Sequence, residues 1–124
     1  MIAGVTDFFV GHYGAFDQLA ARAVIAVKEQ HPTVTLTLLL PYHPAVQPIK
    51  IPAGFDNTYY PPGMEMVPRK VAIARANRYM VDHVDYLIAY ACHPASNTWK
   101  LVEYAERMRK GSIRVTNLGL HQSD

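Results

Sequence analysis

Short runs of β-branched, aromatic and leucine residues alternate with amphipathic helical patterns along this chain of 124 residues. The run Val34–Leu40 is apolar on both alternations, which is typical of a strand buried on both faces of a sheet. Strands of this kind that alternate with helices favour a parallel sheet with helices on both faces and right-handed crossovers. We therefore predict a single α/β domain over residues 1–124, a three-layer sandwich around a four-stranded, mainly parallel sheet.

The hydrophobic pattern also predicts the bounds of the elements. Strands are predicted over residues 6–10, 34–40, 86–91 and 112–118, and helices over residues 15–30, 67–83 and 98–110. Pro68 suits the first position of the second helix, where a missing N–H costs nothing.

The segment 42–66 has no predicted helix or strand. Seven of the nine prolines of the chain lie between Pro41 and Pro68. A stretch of about 25 residues without regular structure is uncommon inside a compact domain and is usually a functional loop or a misassigned element. We interpret it as an ordered binding loop, with a passive, proline-stiffened crossover as the alternative.

Composition narrows the class of protein. Half of the residues are hydrophobic and 18% are charged, which is typical of a folded globular chain and not of a disordered one. Cys92 is the single cysteine, so an internal disulfide is excluded and nothing indicates a secreted scaffold.

No apolar run approaches the roughly 18 residues of a membrane helix. The first residues lack the pattern of a signal peptide, and we expect a cytoplasmic protein without a membrane partner.

The charge of the chain is unevenly distributed. The formal net charge of +2 is too small to indicate nucleic-acid binding. Residues 69–124 hold nine Lys and Arg against five Asp and Glu, a net of +4, whereas residues 1–68 hold three against five, a net of −2. The basic half is either an anion-binding face or a set of scattered solvated charges.

Two connections from a predicted strand to a predicted helix carry the residues that could bind a ligand, because ligands of open α/β sheets bind beyond the C-terminal ends of the strands. In Gly11–Asp17 the glycines allow close backbone approach, and the following helix N-terminus offers amides to an anion. An ordinary glycine-containing turn is the alternative. In the second connection, Ser96, Asn97 or Thr98 either caps the next helix or holds a phosphate or ribose.

A third group lies on the predicted helix 67–83. Arg75, Arg78 and Asp82 are spaced i, i+3 and i+7, so they share one helical face, which either binds a ligand or is simply solvated. The six histidines show no metal-ligand spacing. No phosphate-loop or dinucleotide glycine motif is present either, so neither a catalytic residue nor a cofactor is predicted.

Several short motifs occur in a characteristic order. They are Phe8-Phe9-Val10-Gly11 with Gly14 and Asp17, Leu39-Leu40-Pro41-Tyr42, Tyr59-Tyr60-Pro61-Pro62-Gly63, Val67-Pro68, Ala76-Asn77-Arg78-Tyr79-Met80-Val81-Asp82, and Asp85-Tyr86-Leu87-Ile88-Ala89-Tyr90. This ordered set, over residues 5–118, resembles the SLOG superfamily, the Rossmann-like fold of the LONELY GUY and DprA-type proteins, and in particular its YpsA-like bacterial branch.

The resemblance implies a pocket for a nucleotide or nucleotide-derived ligand at the C-terminal ends of the strands. By position, Gly11, Gly14 and Asp17 match the first glycine-rich loop of the family, Asn77 and Arg78 its helix signature, and Ser96, Asn97 and Thr98 its second loop.

The sequence departs from the family in two places. The enzymatic relatives carry Pro-Gly-Gly-x-Gly-Thr and a glutamate three residues later, where this chain has Pro94–Thr98 and a position near Leu101. Both the double glycine and the expected general acid or base are absent, which argues against phosphoribohydrolase activity. The family's first strand, with its Gly-His-Arg motif, also has no counterpart. Either the sheet closes without it, or another chain supplies it, or the start was assigned downstream.

The sequence therefore predicts a non-catalytic protein that binds a nucleotide-like small molecule and forms a homo-oligomer. The alternatives are a hydrolase of the N-glycosidic or phosphoester bond of a nucleotide, and an oligomeric structural module with a decayed pocket. The candidate ligand-binding residues are Gly11, His12, Gly14, Asp17, Arg75, Asn77, Arg78, Asp82, Ser96, Asn97 and Thr98.

Overall fold

The computed structural model describes residues 4–119, which form a mixture of helices and parallel strands. The elements in chain order are β1 (Asp7–Val10), α1 (Ala15–Gln30), β2 (Thr35–Leu39), β3 (Asn57–Tyr59), α2 (Ala72–His83), β4 (Tyr86–Ala89), α3 (Asn97–Met108) and β5 (Arg114–Asn117). Short 3-10 turns occupy Met64–Met66 and Arg69–Val71. The chain divides into two compact units, Met1–Met66 and Val67–Asp124.

The first unit contains a parallel sheet in the order β1-β2-β3, with β2 in the centre. Phe8 pairs with Leu36 and Val10 with Leu38, so these four side chains share the face on which α1 packs. Leu36 and Leu38 are fully buried. The prediction that β2 is buried on both faces agrees with this central position, because Thr37 and Leu39 on the opposite face are buried as well.

The second unit contains the parallel pair β4–β5 together with α2 and α3. Each helix buries small and medium apolar residues at helical spacing, which lets the two helices approach one another and the strands. The buried residues are Ala72, Ala76, Met80 and Val81 on α2, and Val102 and Ala105 on α3.

In the second unit, two polar side chains pair with backbone groups at the ends of its strands and helices. Asn117 is buried at the end of β5 and pairs twice with Ala91: the Ala91 amide donates to Oδ1 and Nδ2 donates to the Ala91 carbonyl, each at 2.9 Å. Arg109, just after α3, donates from Nη1 to the carbonyls of Val81 and Val84 at the end of α2. These contacts satisfy buried or terminal backbone groups that the helices and strands leave unpaired.

The structure corrects the prediction of a four-stranded sheet. The described residues form two sheets of three and two strands, and the additional strand, β3, lies inside the segment that was predicted to be a loop. The reason is a tertiary contact: the Asp56 carboxylate accepts the Leu36 amide at 2.8 Å, which holds the next three residues against β2. The triplet Asn57–Tyr59 has no apolar alternation of its own from which a strand could be predicted.

Helix bounds also differ from the prediction. The second helix begins at Ala72 and not at residue 67, because Pro68 precedes a 3-10 turn with an extended ψ of 139°. The helix predicted over 15–30 has those bounds, and the strands predicted around residues 7, 35, 86 and 114 are confirmed with shorter ends. Among the residues described, no helix is both long and apolar enough to cross a membrane.

Candidate functional site

The loop from β1 to α1 brings four of the predicted site residues together, and Asp17 determines its shape. The Tyr13 amide donates to Asp17 Oδ2 at 3.1 Å, so the carboxylate folds back from the first turn of α1 over the loop. A Cβ at Gly11 would stand 3.0 Å from the same Asp17 oxygen, so a side chain there would require the carboxylate to shift by a few tenths of an ångström. At Gly14 an added Cβ would meet nothing within 4 Å, so this side of the loop is open.

His12 is the residue of this loop with an unmet hydrogen-bonding group. Its Nδ1 atom is shielded from solvent and has no hydrogen-bond partner within the described part of the chain. Burial lowers the pKa of His12 below its ordinary value, and the Asp17 carboxylate opposes that shift. The imidazole is therefore neutral at pH 7, with one ring nitrogen that donates and one that accepts.

A cavity of about 160 Å³ opens next to His12, beyond the C-terminal ends of β1 and β2. Its wall is formed by His12, Tyr13, Leu40, Pro41, Tyr42, Gln47, Pro48 and Ile49. All of these residues belong to the first unit. We call this the His12 cavity.

Aromatic rings dominate one side of the His12 cavity. The rings of His12 and Tyr13 lie 4.1 Å apart between centroids, and Tyr42 stands edge-on to Tyr13 at 6.3 Å. Gln47 Nε2 donates to the Tyr13 hydroxyl at 3.5 Å. The wall thus combines flat apolar faces with amide, hydroxyl and imidazole groups, the mixture that recognises small heterocyclic ligands.

The proline-rich segment 42–66 supplies the far wall of the cavity and is fixed to α1. Lys28 Nζ lies 2.7 Å from Asp56 Oδ2 and donates to the Gly54 carbonyl at 2.9 Å. The hydrogen bond from Lys28, followed by that from the Leu36 amide, lowers the pKa of Asp56. The segment is therefore ordered by specific contacts.

In the second unit the connection from β4 to α3 performs a capping role. Ser96 is the N-cap of α3, and its hydroxyl accepts the Trp99 amide at 3.1 Å. This contact confirms capping for Ser96, one of the two interpretations left open by the sequence. Asn97 and Thr98 follow as exposed residues in the first turn of the helix, and their role as ligand contacts stays a prediction.

The face of α2 that carries the arginines is joined to α3 through Tyr104. The Arg78 guanidinium lies 4.7 Å from the centre of the Tyr104 ring, and the Tyr104 hydroxyl donates to Asp82 Oδ1 at 2.8 Å. The Asp82 hydrogen bond raises the pKa of Tyr104. Arg75 is exposed and Asn77 is half-buried. Arg78 and Asp82 thus take part in packing between helices, and binding by all four residues stays a prediction.

A second groove, of about 360 Å³, lies at the N-terminal ends of β4 and β5. It is lined by Asp85, Tyr86 and the turn Gly111–Arg114. Ligands of parallel sheets bind at the other end, so this groove does not fit the prediction. Among the described residues, no group of three or more His, Cys, Asp and Glu side chains could hold a metal ion.

The cavity residues that the sequence did not predict as ligand contacts include Tyr13, Tyr42 and Gln47. Tyr13 lies within the predicted loop Gly11–Asp17, next to His12, whereas Tyr42 and Gln47 belong to the segment 42–66, whose unusual length indicates a binding loop. The placement of Tyr42 and Gln47 near His12 depends on where that segment folds back, and no local pattern encodes this. Comparison of the chain with protein-family models, with curated proteins and with solved structures finds no match.

Proposed function

We propose that this protein binds a nucleotide or nucleotide-derived ligand at the C-terminal ends of the strands, in a Rossmann-like arrangement and without catalysing its breakdown. The observation that carries the proposal is the His12 cavity, whose wall combines aromatic faces with imidazole, hydroxyl and amide groups beyond the C-terminal ends of β1 and β2. Flat apolar surfaces with a few polar groups suit a heterocyclic ligand.

The neighbouring helix provides a second element of the proposal. Gly14, the N-cap of α1, has no side chain with which to satisfy the first amides of this 16-residue helix. Such amides and the helix dipole favour a phosphate. Since the cavity of about 160 Å³ is smaller than the roughly 300–1,000 Å³ of most small-molecule sites, it would hold one part of the ligand while the remainder lies along the open loop.

The test is a titration of the full chain with nucleoside monophosphates, ADP-ribose and dinucleotides, followed by calorimetry and thermal shift. Saturation at about 100 times Kd adds roughly 2.7 kcal/mol of apparent stability, which is readily measured. His12→Phe keeps an aromatic ring in the cavity wall but removes its hydrogen-bonding nitrogens, and we expect it to weaken binding. His31→Phe is the matched control, because His31 is exposed at the end of α1. If none of these ligands binds, the proposal is wrong.

The hydrolase alternative is distinguished by product release. Cleavage at a ribose needs a proton donor or base within hydrogen-bond reach of the reacting atom. The Asp17 carboxylate instead holds the Tyr13 amide, and the Asp82 carboxylate holds the Tyr104 hydroxyl. We expect no release of free base or ribose phosphate from purified protein. Release that Asp17→Asn or Asp82→Asn abolishes would establish the hydrolase instead.

A further inference from the structure

A short turn in the proline-rich segment, residues 43–47, is closed by His43, and we call it the His43 turn. The His43 carbonyl accepts the amides of Val46 and Gln47, each at 2.9 Å. Its Nδ1 atom accepts the amide of Ala45, two residues later, at 3.0 Å. The shape of the turn therefore depends on a side-chain acceptor as well as on the backbone.

The His43 turn supports one wall of the His12 cavity. Gln47 ends the turn and lines the cavity, where its Nε2 atom donates to the Tyr13 hydroxyl at 3.5 Å. On the strand side of the turn, Leu40 is buried, and its amide donates to the last carbonyl of β3 at 2.8 Å. A change in the turn therefore moves Gln47, whereas the strand side of the cavity is held in place.

The bond from the Ala45 amide requires a neutral imidazole at His43. Because Nδ1 accepts an N–H, it holds a lone pair, and the ring proton lies on Nε2. An imidazolium donates from both nitrogens, so it would set one N–H against another. The side chain is exposed, so solvent can protonate it. Protonation of His43 thus removes one of the three hydrogen bonds that close the turn.

The groups that face His43 keep their charge while histidine titrates. The Tyr60 ring stands edge-on to the imidazole, with 5.3 Å between the centroids. Burial, followed by the Glu65 carboxylate, raises the pKa of Tyr60, so its phenol is neutral between about pH 5 and pH 8. Among residues 4–119, no ion pair holds His43 in one charge state.

We propose that His43 is a positioning residue of the cavity: its neutral ring closes the His43 turn and presents Gln47 to Tyr13, and its protonated ring releases them. Binding at the cavity then weakens as the pH falls. The effect on a ligand rests on the proposed function, whereas the effect on the free protein does not. The proposal adds regulation by pH through a residue that is not part of the cavity wall.

Two substitutions at His43 separate the acceptor from the ring. Asparagine accepts the amide two residues later in an Asx turn, so His43→Asn keeps the bond to Ala45 and cannot be protonated. His43→Phe keeps a ring against Tyr60 and has no acceptor at any pH. The control is His31→Asn, which removes an exposed histidine at the end of α1. His12 is present in every variant, so its own titration is common to all of them.

The first measurement uses the free protein. NMR follows the Ala45 amide and the Gln47 side-chain amide from about pH 7.5 to about pH 5.5, across the range in which histidine titrates. In the wild type and in His31→Asn we expect both signals to shift with the midpoint of the His43 ring. In His43→Asn this shift should be absent, which a purely structural role of the side chain does not predict.

The second measurement is the Kd of UMP, AMP and ADP-ribose for the full chain, by calorimetry at both pH values. We expect binding to the wild type to be about three- to tenfold weaker at the lower pH, as for the loss of one hydrogen bond. His43→Asn should reduce that factor. His43→Phe should bind weakly at both values. Ionisation of the ligand is the same in every titration and cancels between proteins.

The outcomes separate the two proposals. If the Ala45 and Gln47 signals do not follow His43, or if the wild type and His43→Asn bind with the same pH profile, the role of His43 is overturned and the proposed function stands. If none of these nucleotides and none of the wider panel binds at either pH, the proposed function itself fails, and the NMR titration decides the role of His43.

Discussion

At the scale of single residues, the β1–α1 loop shows how one carboxylate organises its surroundings. Asp17 accepts the Tyr13 amide, packs closely against Gly11, and lies close enough to His12 to affect its pKa. The same residue that shapes the loop thus also affects the pKa of His12, which lines the cavity. Burial is the larger of the two effects on His12, and it favours the neutral ring.

The opposing effects of burial and of the Asp17 carboxylate predict the direction in which the pKa of His12 is shifted. We expect the midpoint measured by NMR to lie below the ordinary value of about 6.5, and Asp17→Asn to lower it further by removing the opposing charge. The pKa of His12 is lower in the folded chain than in the unfolded chain, so the unfolded chain binds the proton more readily. His12 therefore does not change the free energy of unfolding above about pH 6.5 and reduces it as pH falls below that value. A midpoint at or above about 6.5 would contradict the prediction.

At the scale of elements, the proline-rich segment behaves as part of the sheet. Lys28, Asp56 and the Gly54 carbonyl attach it to α1, and β3 attaches it to β2. Gly54 adopts a left-handed φ of +94°, and a Cβ there would stand 2.5 Å from Ile25 Cδ1. The approach of the segment to α1 therefore depends on a residue without a side chain.

Two glycine substitutions distinguish the energetic cost of backbone strain from the cost of close contact with Ile25. Gly63 has a similar φ of +83°, but a Cβ there would meet nothing within 4 Å. We expect Gly63→Ala to cost about 1–2 kcal/mol of unfolding free energy from strain alone. Gly54→Ala should cost about 1 kcal/mol more, because it also overpacks against Ile25. Urea denaturation measures both, and equal losses would show that the contact with Ile25 is unimportant.

At the scale of the whole molecule, the strand edges are the prominent feature. Within residues 4–119, β1 pairs with β2 alone, and β4 and β5 pair with each other alone. Phe9 on β1 is 39% exposed and Ile88 on β4 is 41% exposed. Unpaired edges with apolar side chains recruit further strands or copies of the chain.

We therefore expect this protein to be a homodimer or a larger oligomer at high micromolar concentration. Light scattering after size-exclusion chromatography measures the mass. A charge on an edge strand opposes pairing, so Phe9→Lys should shift the protein towards the monomer. Leu19→Lys is the control, because Leu19 is 58% exposed on α1, away from the strands. A wild-type monomer at that concentration would refute the expectation.

The sequence alone was sufficient to predict the elements that bury a repeating apolar pattern. α1 and the strands around residues 7, 35, 86 and 114 could be predicted, because their hydrophobic period is a local property of the chain. It also identified the loop that contains His12 and the unusual length of the segment that faces it. Each of these follows from residues within a few positions of one another.

The remaining features depend on contacts between residues that are distant in the sequence. β3 exists because Asp56 meets the Leu36 amide, and the His12 cavity exists because Tyr42 and Gln47 return to Tyr13 from about 30 positions away along the chain. Likewise, Tyr104 on α3 contacts both Arg78 and Asp82 on α2, and the sequence pattern treats these two helices separately. Such contacts are settled by the packing of whole elements and not by the period of any one of them, which is why the sequence pattern alone did not predict them.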